Sequence, residues 1–161
     1  MSRSGRRGGP FARVVQEEMR LSEYGKIVQD EWLRTAVVRP YVVLDTFVVM
    51  PNHLHGILWI ADKGAGASKG RGMTPSCPYK RQFGKPVAGS LSAIVQAFKG
   101  VVTKRIRAQA GNGGMVVWQR NYWEHVIRGE RALAAIRQYI VDNPARWAMD
   151  RENPANARGR G

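Results

Sequence analysis

An α+β domain, with helices on one face of an antiparallel sheet, is the fold class this sequence predicts. Three observations carry it. Apolar residues recur at steps of three and four near residues 22–39, 91–106 and 130–143. Two β-branched and aromatic runs flank Pro51 and Asn52. The elements then follow the order helix, strand, strand, helix, strand, helix.

The first helix is expected from Ser22, a residue able to cap it, to near Arg39-Pro40, with Ile27, Val28, Trp32, Leu33 and Ala36 at helical spacing. Residues 41–50 (YVVLDTFVVM) and 53–60 (HLHGILWI), joined by Pro51-Asn52, read as a β-hairpin. Residues 61–90 are rich in Gly, Pro, Ser and Lys without periodicity, and are expected to form a flexible insertion within one domain spanning residues 11–150. Leu91, Ile94, Val95, Phe98, Val101, Val102 and Ile106 then mark a second helix, apolar on one face and basic on the other. Residues 115–118 and 125–127 are short strand candidates. A third helix starts near Glu130, with Leu133, Ile136 and Ile140 as its stripe, and is expected to end at Asn143 because Pro144 follows. Residues 1–10 and 151–161 are too rich in Gly, Arg and polar residues to offset their ordering entropy and are expected to be disordered.

The 161 residues, 43% of them hydrophobic, suit one modest core. A net charge of +14 and a pI near 10.9 exceed what solubility needs and point to a polyanion. The excess is concentrated: from Thr46 to Trp123 the only acid is Asp62. Nucleic acid is therefore the leading partner, and a basic surface without one partner is the alternative. The lone cysteine, Cys77, excludes an internal disulfide and fits a reducing cytosol, so a cytoplasmic location is expected. No apolar run approaches the ~20 residues that cross a bilayer, and no membrane role is expected.

Two of the three histidines, His53 and His55, stand two apart in an expected strand, where alternate side chains share a face. Neutral imidazoles so placed can bind a divalent metal, with Leu54 and Ile57 read as turned to the opposite face. Two structural histidines at a strand end are the alternative. Tyr139 and Asn143, four apart on the third helix, present a hydroxyl and an amide together. Asn143 can complete a metal site and Tyr139 can be an attacking oxygen, although a half-buried Tyr and a helix-ending Asn account for the same spacing.

The segments VVMPNHLHGILWI (48–60), SLSAIVQAFKGVVTKRI (90–106), WQRNYWEHVIR (118–128) and YIVDNPARW (139–147) resemble, in this order, the HUH single-tyrosine transposases, and among them the REP-associated tyrosine transposases. The resemblance covers residues 20–147. It implies a ferredoxin-like antiparallel sheet of the HUH endonuclease type, with His53 and His55 as metal ligands and Asn143 as the third. It further implies Tyr139 as the nucleophile of a 5′-phosphotyrosine link, Mg²⁺ or Mn²⁺ as cofactor, and single-stranded or hairpin DNA as substrate. A homodimer is the candidate assembly. Lys99, Lys104, Arg105, Arg107, Arg120 and Arg128 are the candidate DNA-binding cations. Relatives of this kind begin with an additional apolar strand before the region matching residues 11–21, where this chain has a short Arg/Gly lead. That strand is normally central, so either the chain is truncated or another segment substitutes.

Two other readings remain. A histidine-triad hydrolase would need a histidine where Ile57 stands. A non-catalytic binder would use the basic helix and the aromatics Trp118, Tyr122 and Trp123 to hold single strands by charge and stacking.

Overall fold

A computed structural model describes residues 11–16, 18–61, 89–118, 122–150, 153 and 156. The basic lead, nearly all of the expected insertion with Cys77, and most of the tail lie outside the described residues. The described architecture is α+β: β1 (Ala12–Val15), β2 (Glu18–Leu21), α1 (Glu23–Val38), β3 (Val42–Val49), β4 (Leu54–Ile60), α2 (Leu91–Ala110) and α3 (Glu130–Arg146), closed by a 3₁₀ turn at Trp147–Met149. The strands form two separate antiparallel pairs, β1 with β2 and β3 with β4. No described helix is long and apolar enough to cross a membrane.

Ser22 starts α1 as its sequence suggests: its Oγ accepts from the Gly25 N–H (3.1 Å) and donates to the Phe11 carbonyl (2.9 Å). The Phe11 N–H in turn donates to the Pro51 carbonyl (2.6 Å), so one residue ties the start of α1 to the turn between β3 and β4. The core gathers where α1, α2 and one face of the β3–β4 pair meet, around Phe11, Val28, Trp32, Val49, Phe98, Val102 and Ile106. Trp32 sits edge-on to Phe98 at 5.4 Å and tilted against Phe47 at 6.3 Å. Each such buried side chain contributes about 1.5–3 kcal/mol through removal from water.

β3 carries a bulge. Leu44 pairs with Leu58 and Phe47 with Gly56, leaving Asp45 and Thr46 opposite Ile57. The extra residue keeps Leu44 and Phe47 on the same, core-facing side despite their odd spacing, and leaves Asp45 on the other. In β4, Leu54 and Leu58 pack against the core while a Cβ on Gly56 would point at Trp32, so the even positions face α1. The odd positions face α3, where the ring of His55 meets Tyr139.

Four expectations need correction. The helices do not share one face, since α3 covers the side of the β3–β4 pair opposite α1. Ile57 is buried on the same side as His55, by strand alternation, and not opposite it. Residues 115–118 and 125–127 form no strand: Val117 is buried and Trp118 stacks on Phe11 and Phe98 as a loop, while residues 122–126 are exposed and have no second apolar row to bury. α3 runs past Pro144 to Arg146, because a proline in the last turn forfeits one backbone bond, and the chain then tightens with the Trp147 N–H donating to the Pro144 carbonyl. Two elements were not anticipated from residues 11–21, the strands β1 and β2. Asn153 and Asn156, in the tail expected to be loose, donate to the carbonyls of Trp147, Ala148 and Asp150.

A Cβ on Gly56 would stand 2.5 Å from Trp32 Cζ2, and Trp32 is held on its other sides by Phe47 and Phe98. Gly56→Ala is expected to cost about 1–3 kcal/mol, the usual penalty of overpacking, read as a lower Tm by circular dichroism. An unchanged Tm would contradict the packing of β4 on α1.

Candidate active site

The turn before β4 sets the first imidazole. Met50, fully buried, donates its N–H to the His53 carbonyl (2.8 Å), closing a two-residue loop at Pro51 and Asn52. The Asn52 Oδ1 lies 2.7 Å from His53 Nδ1, which places the His53 proton on Nδ1 and leaves the Nε2 lone pair open. His55, two residues on, faces the same way: the two Nε2 atoms are 2.9 Å apart and the rings cross at 80° with centroids 4.6 Å apart. With the His53 proton on Nδ1, that gap suits either a proton carried by His55 Nε2 or a cation between two lone pairs. Nitrogens at about 2.1 Å on adjacent corners of an octahedral cation stand about 3.0 Å apart, close to the distance seen.

α3 lays a row of side chains over this pair. Tyr139 meets the His55 ring at 5.5 Å, nearly perpendicular, and Trp147 meets the His53 ring at 5.9 Å. Those residues are eight apart, and Asn143 stands midway on the same helical row. It is 2% exposed, and among the described residues neither its Oδ1 nor its Nδ2 has a hydrogen-bond partner. A buried amide without partners costs about 1–3 kcal/mol, so a ligand that takes its oxygen removes a penalty. The donor set therefore fits a hard divalent cation: two imidazole nitrogens and one amide oxygen. No cluster of three or more His, Cys, Asp and Glu exists among the described residues. Tyr139 is 48% exposed, open enough for a large substrate to reach its hydroxyl.

The candidate DNA cations are dispersed. Lys99 lies over both Trp118 and Tyr122, 5.6 Å from each ring, and burial pulls its pKa down from the ordinary lysine value. Arg105 pairs with Asp30 (2.5 Å) and Glu31 (2.6 Å) of α1, and Arg107 Nε donates to the Met115 carbonyl (3.0 Å). Lys104 and Arg128 are exposed, as is His125. Arg120 lies outside the described residues. Of the aromatics, Trp118 donates its indole N–H to the Lys99 carbonyl (3.1 Å), Tyr122 is 41% exposed and Trp123 is wholly exposed.

Sequence reasoning passed over Asn52, Trp147, Asp45 and Arg137. Asn52 adjoins His53, and an amide beside a candidate ligand was its signal. Trp147 continues the Tyr139, Asn143 row by a further turn. Asp45 interrupts a β-branched run, where acids are depleted.

Burial, and next the charge of His55, hold the His53 pKa down at about 4 against the ordinary 6.5, while Asp150 pulls the other way. The imidazole is therefore neutral at pH 7, as a ligand must be. As pH falls below 6.5 the unfolded chain takes this proton first, so the metal-free protein is expected to lose stability from 6.5 down to about 4 and no further below it through this group. His53→Gln should flatten that part of the curve in urea unfolding. A variant that keeps the full slope would contradict the assignment.

No family model matches the chain, and no solved structure matches it. A protein of Haemophilus influenzae described as uncharacterized is 36% identical over 141 residues, covering 87% of this chain and 75% of that protein. At that identity and coverage, the chain belongs to the same family as this Haemophilus influenzae protein.

Proposed function

We propose that the protein is a single-stranded DNA endonuclease and strand transferase of the HUH tyrosine type, acting on hairpin DNA in the cytoplasm. The observation that carries this reading is the row Tyr139, Asn143, Trp147 lying across His53 and His55, with a buried, unpartnered amide in its middle. On this reading the β3–β4 pair belongs to a ferredoxin-like sheet of the HUH type.

His53 Nε2, His55 Nε2 and the Asn143 Oδ1 would hold Mg²⁺ or Mn²⁺, which when bound supplies polarisation of the scissile phosphate. The rest falls to the chain. Asn52 holds the proton on His53 Nδ1, and Trp147 walls the His53 ring from water. Tyr139 attacks phosphorus through its phenolic oxygen. The O–P bond to tyrosine forms, the bond from phosphorus to the 3′ oxygen breaks, the phenol gives up its proton and the departing 3′ oxygen acquires one. Attack by another 3′-hydroxyl on the phosphotyrosine rejoins strands and restores the phenol. Two imidazoles and an amide carry no charge, so this set would hold a hard divalent cation weakly, and phosphate oxygens of the DNA would be needed to complete its ligands.

A second reading, a non-catalytic binder of single strands, is favoured by the full exposure of Trp123 and the half exposure of Tyr122 beside Lys99. Such a binder makes no covalent link to DNA.

Incubation with Mn²⁺ and end-labelled hairpin DNA is expected to give a denaturant-stable protein–DNA species. Tyr139→Phe should abolish it with DNA affinity retained. His53→Ala and His55→Ala should each slow it about 100-fold or more, and Asn143→Ala less, since water can replace a neutral amide. A parent that links no DNA, or links it equally in EDTA, would contradict the reading in favour of the binder.

The salt dependence should separate the cations. Lys104→Ala and Arg128→Ala are each expected to make the slope of log affinity on log salt shallower by about one unit for every phosphate the side chain neutralises. Arg105→Ala should leave that slope unchanged and lower stability, because its guanidinium already serves Asp30 and Glu31. A reduced slope for Arg105→Ala would show that the pair opens to DNA.

A further inference from the structure

We propose that Asp45 and Arg137 are positioning residues that fix the rotation of α3 and so aim Tyr139 at the histidine strand; the inference rests on Tyr139 being the nucleophile. The bulge in β3 is the starting point, because it leaves Asp45 on the α3 face with both carboxylate oxygens turned to donors. Arg137 grips it as a fork, Nε to Oδ1 at 2.9 Å and Nη2 to Oδ2 at 2.5 Å. Trp59 Nε1 donates to Oδ2 from the neighbouring strand (3.0 Å), and the Thr46 N–H and hydroxyl donate to Oδ1 (2.7 and 3.0 Å). Five donors converge on one carboxylate, which is 12% exposed, and Arg137, the first of them in effect, holds its pKa well below the usual carboxylate range.

This grip is placed where it controls rotation. Arg137 and Tyr139 are two residues apart, about 160° round the helix by the shorter way, on either flank of the buried row. Arg137 is held by β3 and Tyr139 lies against β4, so the two contacts act on opposite sides of the helix axis. No side-chain cap sets the start of α3, where Gly129 stands at φ +92°. A half-exposed arginine contributes little to global stability, so a merely structural pair and a positioning pair give different results.

The test uses Arg137→Gln, Asp45→Asn and the double variant in the full chain. In the metal-free protein, the His55 ring proton signals report the Tyr139 ring above them, with Tyr139→Leu as the unstacked reference. The variants are expected to shift these signals toward that reference. With Mn²⁺ and labelled hairpin DNA, covalent linkage should slow about tenfold to 100-fold at unchanged DNA affinity, and the double variant should be no slower than either single one. Parental His55 signals in Arg137→Gln would overturn the proposal, as would a parental rate of linkage. If the parent links no DNA at all, the nuclease reading fails by itself and the His55 signals alone decide whether the pair aims α3.

Discussion

Alternation along β4 governs the geometry of this domain. Successive side chains of a strand point to opposite faces, and here both faces are covered. Leu54, Gly56 and Leu58 meet the α1 side, where Trp32 leaves no room for a Cβ on Gly56. His55 and Ile57 therefore meet α3. The imidazole pair is not placed by its own chemistry but by the apolar contacts of its neighbours, which fix the register of the strand. A slip of one residue would send His55 into the core and a leucine to the α3 face. The Phe11 N–H on the Pro51 carbonyl adds a second restraint at the turn, so that His53 is located from both ends.

Electrostatics divides along the same two faces. On the α1 side, Asp30 and Glu31 neutralise Arg105. On the α3 side, Asp45 neutralises Arg137. With few acids in the chain, these pairs occupy cations near the core and leave the excess positive charge on exposed residues such as Lys104 and Arg128. His53 is kept uncharged at neutral pH chiefly by burial, which suits a ligand.

The three helices and the β3–β4 hairpin were legible because their apolar periods are clean, and the shared direction of His53 and His55 followed from alternation alone. Tyr139 and Asn143 were legible as one row from their spacing. β1 and β2 were not, because their turn places Gln16 at φ +51° where Gly or Asn would have announced it. The bulge at Asp45 and Thr46 hid inside a run of strand-forming residues, and with it the partner of Arg137. The side of the sheet that α3 covers is set by packing, which element order does not encode. That Arg105 and Arg137 are spent is likewise decided by partners 74 to 92 residues away in the chain. Pro144 misled because a proline in a last helical turn sacrifices one bond only, and the buried Asn143 beside it stays helical.

The central claim is that Tyr139, brought against His55 by α3, supplies the oxygen of a covalent DNA link. Mass spectrometry of the trypsin-digested reaction product tests it most directly. The peptide spanning residues 138–146 (QYIVDNPAR) contains one tyrosine and no serine, threonine, cysteine, lysine or histidine. With Mn²⁺ and hairpin DNA present, this peptide is expected to carry the mass of a 5′-phosphorylated nucleotide fragment, with fragmentation placing it on Tyr139. Unmodified peptide in a reaction that has cleaved DNA, or the added mass on any other peptide, would contradict it.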